Sequence, residues 1–144
     1  MILVSACLTG VPCRYDGTTA TDEQLIAYLV SLSMPILPIC PEVLGGLPVP
    51  REPSEIVQGT VKTASGTEVH SSFHAGCTKA VDIARIHGVT CGVLNERSPA
   101  CGVHYIYDGT FSKTLIKGQG LLAQYLRRAG IPVYTAKEFR IIWE

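Results

Sequence analysis

Ser5-Ala-Cys-Leu-Thr-Gly-Val-Pro-Cys-Arg-Tyr-Asp-Gly17 is the segment that decides the fold, because it follows directly on the apolar run Ile2-Leu-Val-Ser5. A short apolar run that leads into turn residues is typical of a buried strand. The arrangement recurs where Pro35–Cys40 leads into Pro41-Glu42, and where Val89–Leu94 leads into a later cysteine-containing turn. Each of three predicted strands thus brings a cysteine to its carboxyl end, which is where an open α/β sheet binds ligands.

Helical and strand-like patterns alternate along the rest of the chain. Apolar residues at a helical period predict a helix after Thr21-Asp22 and others at 71–87, 120–128 and 136–143, while residues 131–134 predict a fourth strand. The order of these elements predicts an α/β fold. We expect a single domain, residues 1–144, that is a three-layer sandwich: a mostly parallel sheet of about four strands with helices on both faces (Rossmann/flavodoxin-like), plus a small hairpin insertion.

The segments between these elements carry many turn residues. Pro38 lacks the N–H of a sheet ladder, so the second strand is predicted to lie at an edge or to be short and irregular. The four prolines of Pro41–Pro53 predict an irregular binding loop, and residues 56–69, with a break at 64–66, predict the small hairpin, which is given no chemical role. Residues 95–117 are predicted to be a long connection rich in turn residues, and Trp143 a terminal packing residue.

The net charge and hydropathy of the chain limit the kinds of molecule that it is expected to bind. Twelve basic and twelve acidic residues in 144 give a formal net charge of zero, so no broad positive field favours duplex nucleic acid. No apolar run approaches the roughly 20 residues that span a bilayer, and the first residues carry no basic leader. We therefore expect a cytoplasmic protein with a small-molecule substrate and no membrane partner.

Six cysteines are the strongest chemical signal. In a reducing compartment they are not expected to form disulfides, so metal, cluster or thiol chemistry comes first. Cys77 and Cys91 fall inside a predicted helix and a predicted strand, where cysteine usually acts as a small hydrophobic residue. Cys7, Cys40 and Cys101 follow three different strands, and Cys13 lies in the same loop as Cys7; these four are expected to meet in one crevice. Their spacing is not that of a zinc ribbon, whereas three thiolates beside an open position suit an iron–sulfur cluster.

The motifs at these turns resemble those of a known family. They are Val4-Ser-Ala-Cys-Leu-Thr-Gly-Val-Pro-Cys-Arg-Tyr-Asp-Gly17, Cys40-Pro-Glu-Val-Leu-Gly-Gly-Leu-Pro-Val-Pro-Arg51, Arg97-Ser-Pro-Ala-Cys-Gly102 and Ile106-Tyr-Asp-Gly-Thr-Phe111. They look like the signature segments of a prokaryotic family, formerly known only as a domain of unknown function, that includes the iron–sulfur-dependent thiouracil desulfidases. The resemblance covers almost the whole chain.

This resemblance implies a function and a cofactor. It implies a [4Fe-4S] cluster held by three cysteines, whose fourth iron takes the sulfur from a thiolated pyrimidine base or nucleotide, of the thiouracil or 4-thiouridine monophosphate type. The oxo base and hydrogen sulfide leave, without a redox cycle. The implied ligands are Cys7, Cys40 and Cys101, with Cys13 as an alternative ligand.

The resemblance also implies two catalytic residues beside the cluster, Glu42 and Ser98. Water must attack the carbon that bears sulfur, and a carboxylate such as Glu42 within about 3 Å of that water can act as general base. Ser98 can pass a proton or hold the pyrimidine ring. The alternatives are that Glu42 is a solvated loop carboxylate and that Ser98 only starts a turn before Pro99.

Four further residues are weaker candidates for substrate binding: Ser5, Arg14, Arg51 and Asp16. An arginine fork suits a substrate phosphate, but it suits an ion pair with Asp16 or Glu52 equally well. The chain departs from the family pattern at Thr9, Cys77, Asn95 and Ala100, and the last two, close to Ser98, bear on substrate choice.

Two other functional classes remain open. A non-catalytic metal or iron–sulfur module would bind all four turn cysteines and leave no open iron. Metal-free cysteine chemistry would need one thiol with a depressed pKa beside a base, and His104 is the only histidine in the cysteine-bearing loops. The sequence contains no Walker loop or dinucleotide fingerprint, so no motif predicts binding of ATP or NAD.

Overall fold

The computed structural model describes residues 1–142 of the 144-residue chain. Eight strands are found there: β1 (Ile2–Ser5), β2 (Ile36–Ile39), β3 (Ser54–Val57), β4 (Thr60–Thr63), β5 (Cys91–Val93), β6 (Tyr105–Tyr107), β7 (Leu115–Lys117) and β8 (Val133–Tyr134). The helices are α1 (Glu23–Ser31), α2 (Pro41–Leu44), α3 (His70–Ile86), α4 (Leu121–Arg128) and α5 (Ala136–Ile142), with a 3₁₀ turn at Ala6–Thr9. None of the helices in residues 1–142 has both the length and the apolar character of a membrane span.

Four parallel strands form the main sheet, in the order β2-β1-β5-β8. From β1 the chain moves to one side to form β2 and then returns to the other side of β1 to form β5. The strand order therefore reverses between β1 and β5, and the crevice at such a switch point is where α/β sheets bind ligands. This confirms the predicted parallel α/β architecture and its edge strand β2, which contains Pro38.

Alternate residues of β1 divide the core into two layers. Leu3 packs on one face with Phe73 of α3 and Leu122 of α4. Ile2 and Val4 point to the other face, where the core includes Leu25 of α1 and Phe139 of α5. All of these side chains are almost completely buried. Helices therefore cover both faces of the sheet, as predicted for a three-layer sandwich.

The prediction that 41–53 contains no regular structure is wrong for its first residues, which form α2. Pro41 occupies the first turn of this helix, where a missing N–H costs nothing. α2 also lies unusually close to α3. A Cβ atom on Gly76 would collide with the carbonyl oxygen of Pro41, and one on Gly45 would collide with that of Ser72. The two glycines thus allow the backbones to touch, which stabilises a helix of only four residues.

Two hairpins extend from the sheet, although only one was predicted. β3 and β4 pair antiparallel around Gln58-Gly59, both in the left-handed region, so a hairpin lies in the predicted segment. Its turn precedes the predicted break at 64–66, across which the structure has only an isolated bridge, between Lys62 and Glu68. β6 and β7 form a second antiparallel hairpin inside the long connection predicted at 95–117. Its strands are three residues long and β7 is exposed throughout, so no alternating pattern marks them. The prediction that Trp143 packs at the terminus lies outside the described residues.

Candidate active site

A cavity of about 570 Å³ opens at the carboxyl ends of β1, β2 and β5. This volume is in the range of small-molecule sites. Nine of the ten predicted site residues line it: Ser5, Cys7, Cys13, Arg14, Cys40, Glu42, Arg51, Ser98 and Cys101. Asp16 is not among the lining residues; its exposed carboxylate accepts a hydrogen bond from the Thr18 amide at 3.1 Å.

Cys7 is held by the 3₁₀ turn that continues β1. Gly10 ends this turn at a φ of 100°, a conformation that glycine adopts without strain. The Cys7 carbonyl accepts hydrogen bonds from the amides of Gly10 at 3.4 Å and Ala20 at 3.0 Å. The loop is thereby folded back on itself, and this keeps Cys13 buried beside Cys7.

Cys40 is the N-cap residue of α2, and its sulfur lies 3.8 Å from the Cys13 carbonyl oxygen. Arg51 fastens the two loops together. Its Nη2 donates to that same carbonyl at 2.8 Å, and its Nε lies 3.2 Å from the Glu42 carboxylate. A further bond to the Pro48 carbonyl, at 3.1 Å, accounts for Nη1. Arg51 therefore forms a structural ion pair, with Glu42 rather than with Asp16 or Glu52.

Cys101 lies in a turn that is fixed from both sides. The Ser98 hydroxyl oxygen accepts hydrogen bonds from the amides of Ala100 and Cys101, both at 3.1 Å. The first amides of α4 donate to the same turn, Leu121 to the Pro99 carbonyl at 2.9 Å and Leu122 to the Ala100 carbonyl at 2.8 Å. These helix-terminal donors would otherwise lack partners. Ser98 is thus a turn residue, and its hydroxyl proton takes no part in these two bonds.

Ser5 ties the end of β1 to the segment that follows β5. Its hydroxyl oxygen accepts a hydrogen bond from the Asn95 amide at 2.9 Å. It is 1% exposed although polar, and its hydroxyl lowers the pKa of Cys101 against the larger effect of burial. Ser5 therefore connects the two switch-point strands as well as lining the cavity; its role in substrate binding stays a prediction.

Burial disfavours the ionised form of three of the turn thiols. It raises the pKa of Cys7 and Cys101, and it raises that of Cys13 to about 12; the proximity of Cys40 adds to the effect for all three. Burial disfavours the charged form of a thiol unless a positive charge compensates it. None of these three has the depressed pKa of a metal-free nucleophile, whereas a bound metal would supply the missing charge.

Glu42 is a largely buried carboxylate in α2 and not the solvated loop residue of the alternative interpretation. Its side chain is 16% exposed and faces the cavity beside Cys40. Burial raises its pKa, and the Arg51 guanidinium, which lowers it, only partly offsets that effect. A carboxylate with a raised pKa holds a proton more strongly at neutral pH, which is a property of a general base.

The sequence interpretation missed several residues of the cavity wall. Glu55 of β3 lines it, so the first hairpin does contribute to the site. Glu96 follows β5, and one of its carboxylate oxygens accepts hydrogen bonds from the amides of Val103 at 2.6 Å and Tyr105 at 3.2 Å. Arg97, Tyr107, Phe111 and Lys113 also line the cavity. Tyr107 and Phe111 belong to the Ile106–Phe111 motif, which had no assigned role, and Arg97 opens the motif of Cys101; no sequence motif marked Glu55, Glu96 or Lys113.

The donor set fits a cluster better than a single ion. Across residues 1–142, no three His, Cys, Asp or Glu side chains converge closely enough to hold one metal ion. A four-iron cluster is several atoms across, so its ligands surround a space instead of a point. Four cysteines in the reduced form around one cavity meet that requirement, since thiolate is the usual ligand of such clusters.

Comparisons with known proteins converge on one family. The sequence model of the 2-thiouracil desulfurase family matches residues 2–138. The chain is similar to the uncharacterized protein YbbK of Bacillus subtilis (strain 168), with 40% identity over 152 residues and 99% of each chain covered. It is also similar to the solved structure of the [4Fe-4S]-dependent thiouracil desulfidase TudS, with a TM-score of 0.87 and 39% identity over 93% of this chain and 89% of that one.

Proposed function

We propose that this chain, which belongs to the 2-thiouracil desulfurase family, is a desulfidase that removes sulfur from a thiolated pyrimidine at a [4Fe-4S] cluster. The observation that carries the proposal is the meeting of four turn thiols with a buried carboxylate in one cavity at the switch point. The reaction is a hydrolysis: the thiocarbonyl carbon gains the oxygen of water, and its sulfur leaves as hydrogen sulfide. No electron donor is needed.

Cys7, Cys40 and Cys101 are the proposed cluster ligands. They follow three separate strands, so no single loop sets their positions, and Cys101 is held in addition by the Ser98 turn and the start of α4. Cys13 is the alternative ligand, because it lies in the Cys7 loop and lines the same cavity. Three ligands leave one iron open, and when bound the cluster supplies a Lewis acid that accepts sulfur.

Glu42 is the proposed general base. Its raised pKa suits it to take a proton from the water that attacks the carbon, and Arg51 fixes the carboxylate in place. Ser98 is the second proposed catalytic residue. Its hydroxyl proton is not used within its own turn, so it can donate to the heteroatoms of the pyrimidine or to the departing sulfur.

The unpaired cations of the cavity indicate whether the substrate carries a negative charge. Among the residues that the structure describes, Arg14, Arg97 and Lys113 line the cavity and form no salt bridge. The carboxylates there are already engaged by Arg51 or by backbone amides, so they do not pair with these three cations. The three unpaired cations favour a thiolated nucleotide over the free base, with Arg14 as a phosphate ligand. Roles for Ser5 and Arg51 in substrate binding are part of the same proposal, and Asp16, which lies outside the cavity wall, would act only through the loop that carries Arg14.

The remaining features of the proposal concern the whole protein. Residues 1–144 act as one catalytic domain in the cytoplasm, with a small-molecule substrate and no membrane or duplex nucleic acid partner.

The second candidate function is a non-catalytic module in which all four turn cysteines bind the cluster; the burial of Cys13 beside Cys7 and Cys40 favours it. Such a module has no open iron and releases no sulfide from substrate.

Sulfide release from 2-thiouracil and from 4-thiouridine monophosphate tests the proposal. Protein purified and reconstituted without oxygen should release hydrogen sulfide from at least one of them. Glu42→Gln should keep its iron and lose roughly 100-fold or more in kcat, which is the usual contribution of a general base. Glu52→Gln, an exposed loop carboxylate, is the matched control and should keep full activity. A fully loaded wild type without activity, or an active Glu42→Gln, would contradict it.

A further inference from the structure

The loop of the second hairpin forms one wall of the cavity. This loop, residues 108–114, places Phe111 and Lys113 among the lining residues. Both have positive φ, 57° and 60°, in a region that side-chain-bearing residues rarely adopt. Such a backbone persists only when its surroundings hold it. Some contact must therefore fix the loop, and with it the direction of the Phe111 ring.

Glu55 makes that contact from the other hairpin. Its Oε1 accepts hydrogen bonds from the amides of Gly109 at 2.9 Å and Phe111 at 3.2 Å. The residue is 8% exposed, and no salt bridge to Glu55 exists within residues 1–142. A buried carboxylate without a cation needs its amide donors. The two amides are thus the main polar partners of Glu55, and the bond ties β3 to a loop more than fifty residues away.

Gly109 shows how closely the two hairpins approach each other. Its φ is 92°, and a Cβ atom there would lie 2.7 Å from the carbonyl oxygen of Ile56, the residue after Glu55. Only glycine fits this contact. The loop therefore lies against β3 in one defined position, and this position faces Phe111 toward the cavity.

We propose that Glu55 is a positioning residue for substrate recognition: it holds the 108–114 loop so that the Phe111 ring contacts the flat face of the thiolated pyrimidine. This inference rests on the proposed function for the identity of the ligand. A phenyl ring has no group for proton transfer, but it offers a face on which a heteroaromatic base stacks. Glu55 acts through the loop and takes no part in the proton transfers assigned to Glu42.

Three variants separate this role from catalysis. Glu55→Ala removes the acceptor and should raise KM roughly tenfold, in line with the loss of one stacking contact, while kcat changes less than about twofold. Phe111→Leu removes the ring and should have the same effect. Glu55→Gln is the rescue variant, because its amide oxygen can still accept both hydrogen bonds. It should keep a KM close to that of wild type, whereas loss of kcat in Glu55→Gln would make Glu55 a proton carrier and overturn the proposal.

The double variant tests whether Glu55 acts through Phe111. If it does, Glu55→Ala combined with Phe111→Leu should raise KM no further than the larger single effect. Multiplication of the two effects would show independent roles and would contradict the proposal.

Hydrogen exchange provides a readout that does not depend on turnover. In cluster-loaded protein, the amides of Gly109 and Phe111 should be protected in wild type, Glu55→Gln and Phe111→Leu, and should exchange at least tenfold faster in Glu55→Ala. Unchanged protection in Glu55→Ala would overturn the inference. If wild type releases no sulfide, the proposed function fails; binding of 2-thiouracil by equilibrium dialysis then replaces KM, and equal affinity of wild type and Phe111→Leu would overturn the inference as well.

Discussion

The four turn cysteines, Cys7, Cys13, Cys40 and Cys101, differ from the two cysteines inside regular secondary structure, Cys77 and Cys91, more in position than in burial. Cys13 and Cys101 are 6% exposed and Cys7 is 9% exposed, against 2% for Cys91 and 0% for Cys77. Cys40 is the one partly exposed thiol, so burial distinguishes it but separates the other turn cysteines from Cys77 and Cys91 by only a few per cent. The turn cysteines lie beyond strand ends and face a shared cavity, whereas Cys91 and Cys77 pack inside a strand and a helix.

Thiol acidity does not separate the groups either. Burial raises the pKa of Cys77 to about 12, the same value that burial and Cys40 give to Cys13. What distinguishes the turn cysteines is convergence at the switch point, where other thiols and a carboxylate are within reach. The lesson is that a cysteine's place relative to a strand end is a better guide to function than its burial or its pKa.

The largest expected effect tests this difference directly. Cys101→Ala removes a proposed ligand and should abolish iron retention after anaerobic reconstitution, because the remaining ligands cannot complete the coordination. Cys77→Ala removes a thiol of similar burial from the neighbouring helix and should keep a full complement of iron. Iron and acid-labile sulfide analysis of both variants is the measurement. Equal iron loss in Cys101→Ala and Cys77→Ala would contradict the claim that only the turn cysteines bind the cluster.

Gly76, the residue before Cys77, sharpens the comparison, because α3 supports the site through its backbone and not through its thiol. A methyl group at Gly76 collides with the Pro41 carbonyl and should push α2 away from α3, so we expect Gly76→Ala to cost about 3 kcal/mol of unfolding free energy. Iron retention should fall too, since Cys40 caps α2. Denaturant unfolding measures the change, with the exposed Thr78→Ala as the control; wild-type stability in Gly76→Ala would contradict the close approach.

The sheet and its thiols could be predicted because local signals and a general rule suffice for them. Ile2–Ser5 and Val89–Leu94 are apolar runs followed by turns, and parallel strands place their carboxyl ends together. The burial of Glu42 could not be predicted, because it depends on contact between Gly45 and α3, about thirty residues later. The role of Glu55 could not be predicted either, because its two partners lie on a hairpin whose three-residue strands leave no periodic pattern.

Cys13 is the thiol on which the two cluster hypotheses differ. If three cysteines hold the cluster, Cys13→Ala should keep at least about half of the wild-type iron and should still release sulfide. The residual loss reflects packing, because the buried Cys13 side chain is removed, while the bond from Arg51 to its backbone carbonyl is kept. Iron content and activity are measured side by side with Cys101→Ala. Complete iron loss in Cys13→Ala would favour the closed, four-cysteine module.

The smallest expected effect concerns Cys77 and alkaline pH. Its pKa is about 12 in the folded protein and 9.0 in its ordinary state, so between these values the unfolded chain loses a proton that the folded chain keeps. Stability must therefore fall as the pH rises above about 9, by at most about 1.4 kcal/mol per pH unit from this group. Cys77→Ala should show a shallower decline. Urea unfolding between about pH 8 and pH 10.5 measures it, and parallel curves would contradict the assignment.

The central claim is that three strand-end thiols hold a cluster with one iron open to substrate. The most direct test assays iron, acid-labile sulfide and product release on the same anaerobic preparation. The account predicts four iron and four sulfide per chain, as in a [4Fe-4S] cluster, together with hydrogen sulfide and the oxo base from a thiolated pyrimidine. A fully loaded protein that releases no sulfide, or a cluster-free protein that does, would contradict it.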